Sequence, residues 1–169
     1  MILSQFTLCL YSQNISQGNN TMLFKNPSLL LYSELNKKEN VAYIRNLELV
    51  IKNISEEKAP TDSALYFAIP KTESEFIIYF SCDYEIGSVQ KSWIALNREV
   101  LLAAQNKEKI FLAYLGMAEF VDGYYAESYF DDLEGVISKY HKSFFCSTYS
   151  TLSKECQLKL GDMYEDFCE

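Results

Sequence analysis

The chain contains a single histidine, His141, which stands five residues before Cys146. A thiol attacks as the thiolate, which a neighbouring imidazole can generate, so this pair is the arrangement that would carry covalent catalysis. The separation gives the pair no geometric support, and no orienting motif flanks either residue. His141 also falls near the end of a helix predicted over 126–142, where the helix dipole stabilises a partly positive ring without any catalytic role. One histidine and scattered cysteines do not supply the paired ligands of the usual zinc sites. Asp131 and Asp132 could face a hard cation, but neighbours on a helix point about 100° apart and do not converge on one ion. The six glycines never fall into GxGxxG, GxxxxGK[ST] or Gly-x-Ser-x-Gly, so neither a phosphate cradle nor a nucleophile elbow is visible. The expectation is a protein that is not an enzyme, with no catalytic residue, no cofactor and no metal.

A different kind of chemistry is suggested between Ile110 and Ser138, a segment without Lys or Arg. Glu119, Asp122, Glu127, Asp131, Asp132 and Glu134 are mixed there with Phe120, Tyr124, Tyr125, Tyr129 and Phe130. Acids interleaved with tyrosines suit a surface that receives a basic partner, the carboxylates meeting Lys and Arg while the rings provide rigid contact area and cation–π faces. A purely structural account assigns half of those acids to one helix N-terminus and half of the rings to a core stripe. The DGYY turn at 122–125 is what that account explains least. The candidate partner-binding residues are Glu119, Asp122, Tyr124, Tyr125, Glu127, Tyr129, Asp131, Asp132 and Glu134. An exposed sheet edge, able to accept a strand from a partner, is the second candidate surface.

The charge balance agrees with a protein partner. Fifteen basic against twenty-three acidic residues leave a net charge of −8. Such a surface repels phosphate backbones, which disfavours direct nucleic-acid binding, and it steers basic proteins towards itself. It also keeps a small protein in solution. At 169 residues the chain can bury a core without help from disulfides or metals. Thirteen Tyr and eleven Phe suit cores and wet interfaces alike. Cys9, Cys82, Cys146, Cys156 and Cys168 are odd in number and widely scattered, which reads as reduced, mostly buried thiols. The opening MILSQFTLCLYSQ has no basic stretch before its apolar residues, so no signal peptide is expected, and no apolar run is long enough to cross a membrane. The sequons at Asn14, Asn19 and Asn53 are then chance matches. A cytoplasmic location without a membrane partner is expected.

The elements that must hold these residues read as a sheet followed by helices. Alternation of apolar and polar residues predicts strands at 6–11, 21–25 and 41–54, with Leu47, Leu49 and Ile51 on one face of the last. Two further apolar runs, 64–69 and 75–82, are joined by a short polar PKTES connection and read as a hairpin. From 89 to 105 the period changes, with Trp93, Leu96, Val100, Leu101 and Ala104 at three- and four-residue steps, and a second helix follows over 126–142. Residues 28–35, 110–121 and the tail fit either helix or strand. The expected fold class is α+β in one domain over 1–169: an antiparallel β meander in the N-terminal half, helices mainly in the C-terminal half.

As a whole-chain profile, and in the segment EFVDGYYAESYFDDLE above all, the sequence resembles the immunity proteins of bacterial contact-dependent growth inhibition and related polymorphic toxin systems. The resemblance implies a small cytoplasmic domain that binds one cognate basic toxin, often a nuclease, and blocks its active site or substrate surface. It carries over no residue by position. Three rivals follow from the same residues: a phage-encoded inhibitor of a host nucleic-acid-binding defence complex, a small enzyme built on Cys146 and His141 or on a tyrosine-lined pocket, and a structural subunit that self-assembles and whose acidic surface only keeps it in solution.

Overall fold

The structure, a computed structural model, describes Phe24 and residues 29–84, 87–121 and 123–169. Every regular element among these residues is helical. The expected α+β fold with its β meander is therefore wrong, and the described chain is all-α. The strand expected at 6–11 lies outside the described residues, as does all but Phe24 of that at 21–25.

Helix α1 (Leu29–Leu35) leads into α2 (Val41–Ser55), which replaces the longest predicted strand. Tyr43, Ile44, Leu47, Val50 and Ile51 are all buried, at three- and four-residue steps that trace one helical face. The alternation of 47, 49 and 51 shares only Leu47 and Ile51 with this pattern: Leu49, which a strand would put inside, is 58% exposed. The predicted hairpin is instead the helix pair α3 (Asp62–Ala68) and α4 (Glu73–Ser81). Each starts on a threonine whose hydroxyl satisfies an orphan backbone N–H: Thr61 accepts from Ala64 and Thr72 from Glu75. Helix α4 buries Phe76, Ile78, Tyr79 and Phe80 together, so it is apolar nearly all round and shows no single stripe.

Helix α5 (Ser88–Asn106) matches the predicted helix and is the hub of the fold, packing against α2, α3, and α6 (Glu108–Gly116). Gly116 ends α6 and the chain tightens into a 3-10 turn at Met117–Phe120, which settles the ambiguous 110–121 segment as helical. Helix α7 (Ala126–Val136) runs through a π turn at Ile137–His141 into α8 (Lys142–Thr148). The tail forms α9 (Lys154–Lys159), capped by the Ser153 hydroxyl, and α10 (Gly161–Cys168). The buried apolar residues from Phe24 to Leu160 form one continuous cluster. Its largest fully buried members include Tyr79, Tyr114, Tyr129, Phe76, Phe80, Phe111 and Phe145, so much of the aromatic content is core.

The reading of the cysteines as reduced, buried thiols holds for Cys156, and Cys82 is buried as well. It fails for Cys146 and Cys168, which form a disulfide with their Cα atoms 5.6 Å apart. The bond ties α8 to the end of α10, a helix with no fully buried residue of its own. Cys9 lies outside the described residues.

Leu96 is fully buried at the hub and Ile94, two residues away, is 52% exposed. Leu96→Ala should cost about 2–5 kcal/mol in urea unfolding, and Ile94→Ala within about 0.5 kcal/mol of nothing. Equal losses would contradict the orientation of α5. Removing the disulfide with the pair Cys146→Ser and Cys168→Ser should cost about 2–4 kcal/mol and leave a thermal midpoint that dithiothreitol no longer lowers.

Candidate protein-binding surface

Helix α7 carries most of the acidic-aromatic segment, and it sorts those residues by angle. Gly123, with φ +57°, opens the 3-10 turn at Gly123–Tyr125 that precedes it, a conformation that a residue with a Cβ adopts only with strain. Tyr129, Leu133 and Val136 then point inward. Glu127, Asp131 and Glu134, at i, i+4 and i+7, form an exposed stripe. None of the three makes an ion pair with a described residue.

The inward set is structural. Tyr129 is fully buried, its hydroxyl donating to the carbonyls of Tyr114 and Leu115, both at 3.1 Å, in the last turn of α6. The Met117 N–H at the helix end also bonds to these two carbonyls, and the phenol supplies them with a second donor. Burial accordingly pushes the Tyr129 hydroxyl well above the ordinary tyrosine range. Tyr125 is half-buried, with its hydroxyl 2.8 Å from the Ser81 hydroxyl and its ring against Phe76 and Phe80. The Asp132 carboxylate accepts from the Asn97 amide at 2.7 Å and from the Tyr114 hydroxyl at 3.4 Å, while the Asn97 carbonyl oxygen accepts from the Tyr79 hydroxyl at 3.0 Å. Burial raises the Asp132 carboxyl above its usual range, with Asp131 and Asp83 adding to the effect and the two hydrogen bonds opposing it. Tyr129 is thus removed from a contact surface that the sequence pattern had placed it on, while half-buried Tyr125 and Asp132 turn their polar atoms to internal partners.

Of the remaining candidates, Asp122 and the side chain of Tyr124 lie outside the described residues. Glu119 is exposed on the 3-10 turn after α6 and accepts from the Ser153 hydroxyl at 3.2 Å. It rims a shallow depression of about 260 Å³ with Glu73, Phe120, Val121 and Lys159. The Lys159 ammonium is turned to the Val121 carbonyl at 2.9 Å, so this hollow presents two carboxylates and a cation already engaged. A sheet edge, the second surface considered, does not exist among the described residues.

The rest of the acid lies further along the chain. Residues 117–169 hold eleven acids against four bases, whereas residues 1–116 hold twelve against eleven. Nearly all of the −8 therefore resides in the C-terminal third. Asp162, Glu165, Asp166 and Glu169 extend the exposed carboxylates onto α10, a contribution that a tally of charge by segment would have found.

His141 and Cys146 are not brought together as base and nucleophile. One ring nitrogen of His141 lies 2.7 Å from the Ala104 carbonyl, in the last turn of α5, and the ring stacks on Phe111 at 4.4 Å. The Cys146 sulfur is bonded to Cys168. Among the described residues no three His, Cys, Asp or Glu side chains converge where a metal ion could sit, and no helix is long and apolar enough to cross a membrane. In comparisons with known proteins, no family model, no curated protein and no solved structure matches the chain.

The Asp132 carboxyl gives a pH test. Its native value is raised, so the native state holds the proton more readily than the unfolded chain. Its contribution to stability is therefore fully present below the ordinary aspartate range and is lost as pH rises through the raised native value. Asp132→Asn should gain on the wild type most at about pH 7, and that advantage should shrink towards about pH 4 in paired urea titrations. A gap that is constant with pH would show that Asp132 titrates as it does in the unfolded chain.

Proposed function

We propose that this chain is an inhibitory binding protein whose acidic C-terminal surface engages a basic protein partner, and that the partner is a toxin domain of the nuclease class. The observation that carries the reading is the stripe Glu127, Asp131 and Glu134, exposed and without a cation among the described residues. Carboxylates held in a row on a packed helix lose little freedom when they meet Lys and Arg, which is what complementarity to a fixed partner requires. A nuclease fits the charge, because its own substrate surface must be basic to hold phosphates. Covering that surface with an acidic helix would exclude the nucleic acid. The anchoring rings do not include Tyr129, which is fully buried in the core. Phe130, half-buried beside the stripe, takes that place.

The direct test is capture of the tagged protein from its native host at low and high salt. A stoichiometric basic polypeptide that arrests growth when expressed alone, and is silenced by co-expression, is the expected result. Recovery of a large host defence complex instead would move the reading to the phage-inhibitor class, and no partner at any salt would end it. With the partner in hand, Glu127→Lys combined with Asp131→Lys should slow association about tenfold or more and flatten its salt dependence. Tyr129→Phe should instead lower thermal stability, by about 1 kcal/mol, and leave the association rate unchanged.

A further inference from the structure

The two arginines of this chain, Arg45 and Arg98, both lie on exposed outer faces, of α2 and α5 respectively. Lys52 on α2 and Lys91 on α5 are exposed beside them, while the carboxylates of these two helices, Glu48 and Glu99, are part-buried. Arg45, Lys91 and Arg98 make no ion pair with a described residue, and Lys52 stands only 3.9 Å from Glu56 at the end of its helix. In an acidic protein, one pair of packed helices thus presents a basic face. Leu49 (58% exposed) and Leu102 (40%) add apolar surface to it.

The groove between the two helices sets the register. A depression of about 150 Å³ has Glu48, Lys52 and Ser55 on one wall and Ser88 and Ser92 on the other, so the end of α2 lies at the start of α5, and two helices packed along each other in that register are antiparallel. At about 1.5 Å per residue, stepping back along α2 and forward along α5 brings Arg45 level with Arg98, as Lys52 is with Lys91. The four cations are thus level in two pairs roughly 10 Å apart, Lys52 on the wall of the groove and the other three on the exposed faces beside it. Glu127 and Glu134 are separated by the same seven residues, and hence by roughly the same 10 Å, on the exposed face of α7.

We infer that the α2/α5 groove docks the acidic α7 stripe of a second copy of this chain. Glu127 and Glu134 meet the two pairs of cations, Asp131 lies between them, and half-buried Phe130 beside the stripe meets the apolar rim. The contact is heterologous, each copy using its groove for one neighbour and its stripe for another, so it builds rings or open chains rather than a closed pair. Two copies of net charge −8 repel at long range. At about 0.1 M salt that repulsion is screened beyond about 10 Å while contacting pairs persist, so assembly peaks at moderate salt and fades towards 1 M. The inference shares the acidic stripe with the function proposed above but stands without it, since no other protein enters its test; if both hold, a basic partner dissolves the assembly by taking the stripe.

Sedimentation velocity over about a hundredfold range of concentration at about 0.1 M salt tests this. The wild type should shift from monomer to larger species. A groove variant, Arg45→Glu with Arg98→Glu, and a stripe variant, Glu127→Lys with Asp131→Lys, should each remain monomeric with unchanged circular dichroism. Mixed together, they bring one intact stripe to one intact groove, and their two reversed surfaces are complementary as well, so they should co-assemble in 1:1 proportion. A wild type that is monomeric throughout overturns the inference, and so does a groove or stripe variant that still assembles alone. A mixture that stays monomeric overturns it as well, because the surviving groove and stripe are then not partners.

Discussion

Four helices meet at one polar junction inside this protein. Asp132 of α7, Asn97 of α5, Tyr79 of α4 and Tyr114 of α6 share a chain of hydrogen bonds in a setting otherwise packed with rings. Each of these groups would be costly to bury alone, since an unpaired polar atom in the interior forfeits its hydration. Together they satisfy one another, and in doing so they set the rotation of every helix involved. Asp132 faces Asn97 only if α7 presents Tyr129 and Leu133 inward, and that same rotation fixes which residues face outward.

The exposed acidic stripe is thus a consequence of the buried junction. Along a helix an inward set and an outward set are inseparable, and turning α7 to bury Asp132 leaves Glu127, Asp131 and Glu134 in water. Tyr129 reinforces the arrangement by closing the carbonyls at the end of α6, so the helix bearing the stripe is held at its centre by hydrogen bonds to a neighbour. His141 does the same further along, bonding to the Ala104 carbonyl near the end of α5 and stacking on Phe111. Tyr129 and His141, two of the residues that sequence inspection singles out, thus bond to carbonyls at helix ends.

Charge is distributed along the chain as unevenly as polarity is across it. The near-neutral first 116 residues supply the hub, while the last 53 supply most of the net charge. The disulfide between Cys146 and Cys168 holds α10, with its exposed acids and half-buried Met163, Tyr164 and Phe167, against α8. Tyr149 stacking on Tyr164 at 4.1 Å adds to that docking. A helix of this length has little stability by itself, so its acidic residues are presented in a fixed place only because these contacts secure it.

How much of this was legible in the residues depends on which physical signal each element carries. The helix at 88–106 and the start of the one at 126 were plain from their three- and four-residue steps, because each buries one stripe and wets the other. Helix α4 was not, because it is buried almost all round and periodicity vanishes when every direction is apolar. The capping signature Thr72-x-x-Glu75 was present to mark its start, and α2 carried a full helical pattern from Tyr43 to Ile51 that a strand-like alternation overlapped. The sequence by itself determined the net charge, its crowding into the C-terminal third, the absence of the familiar phosphate and zinc motifs, and the acidic-aromatic composition of 110–138. Only the tertiary structure decided which of those acids and rings face a partner and which face the core, and which cysteines pair. Those outcomes depend on the angle at which each helix meets its neighbours, and that angle is set by contacts between residues far apart in the chain.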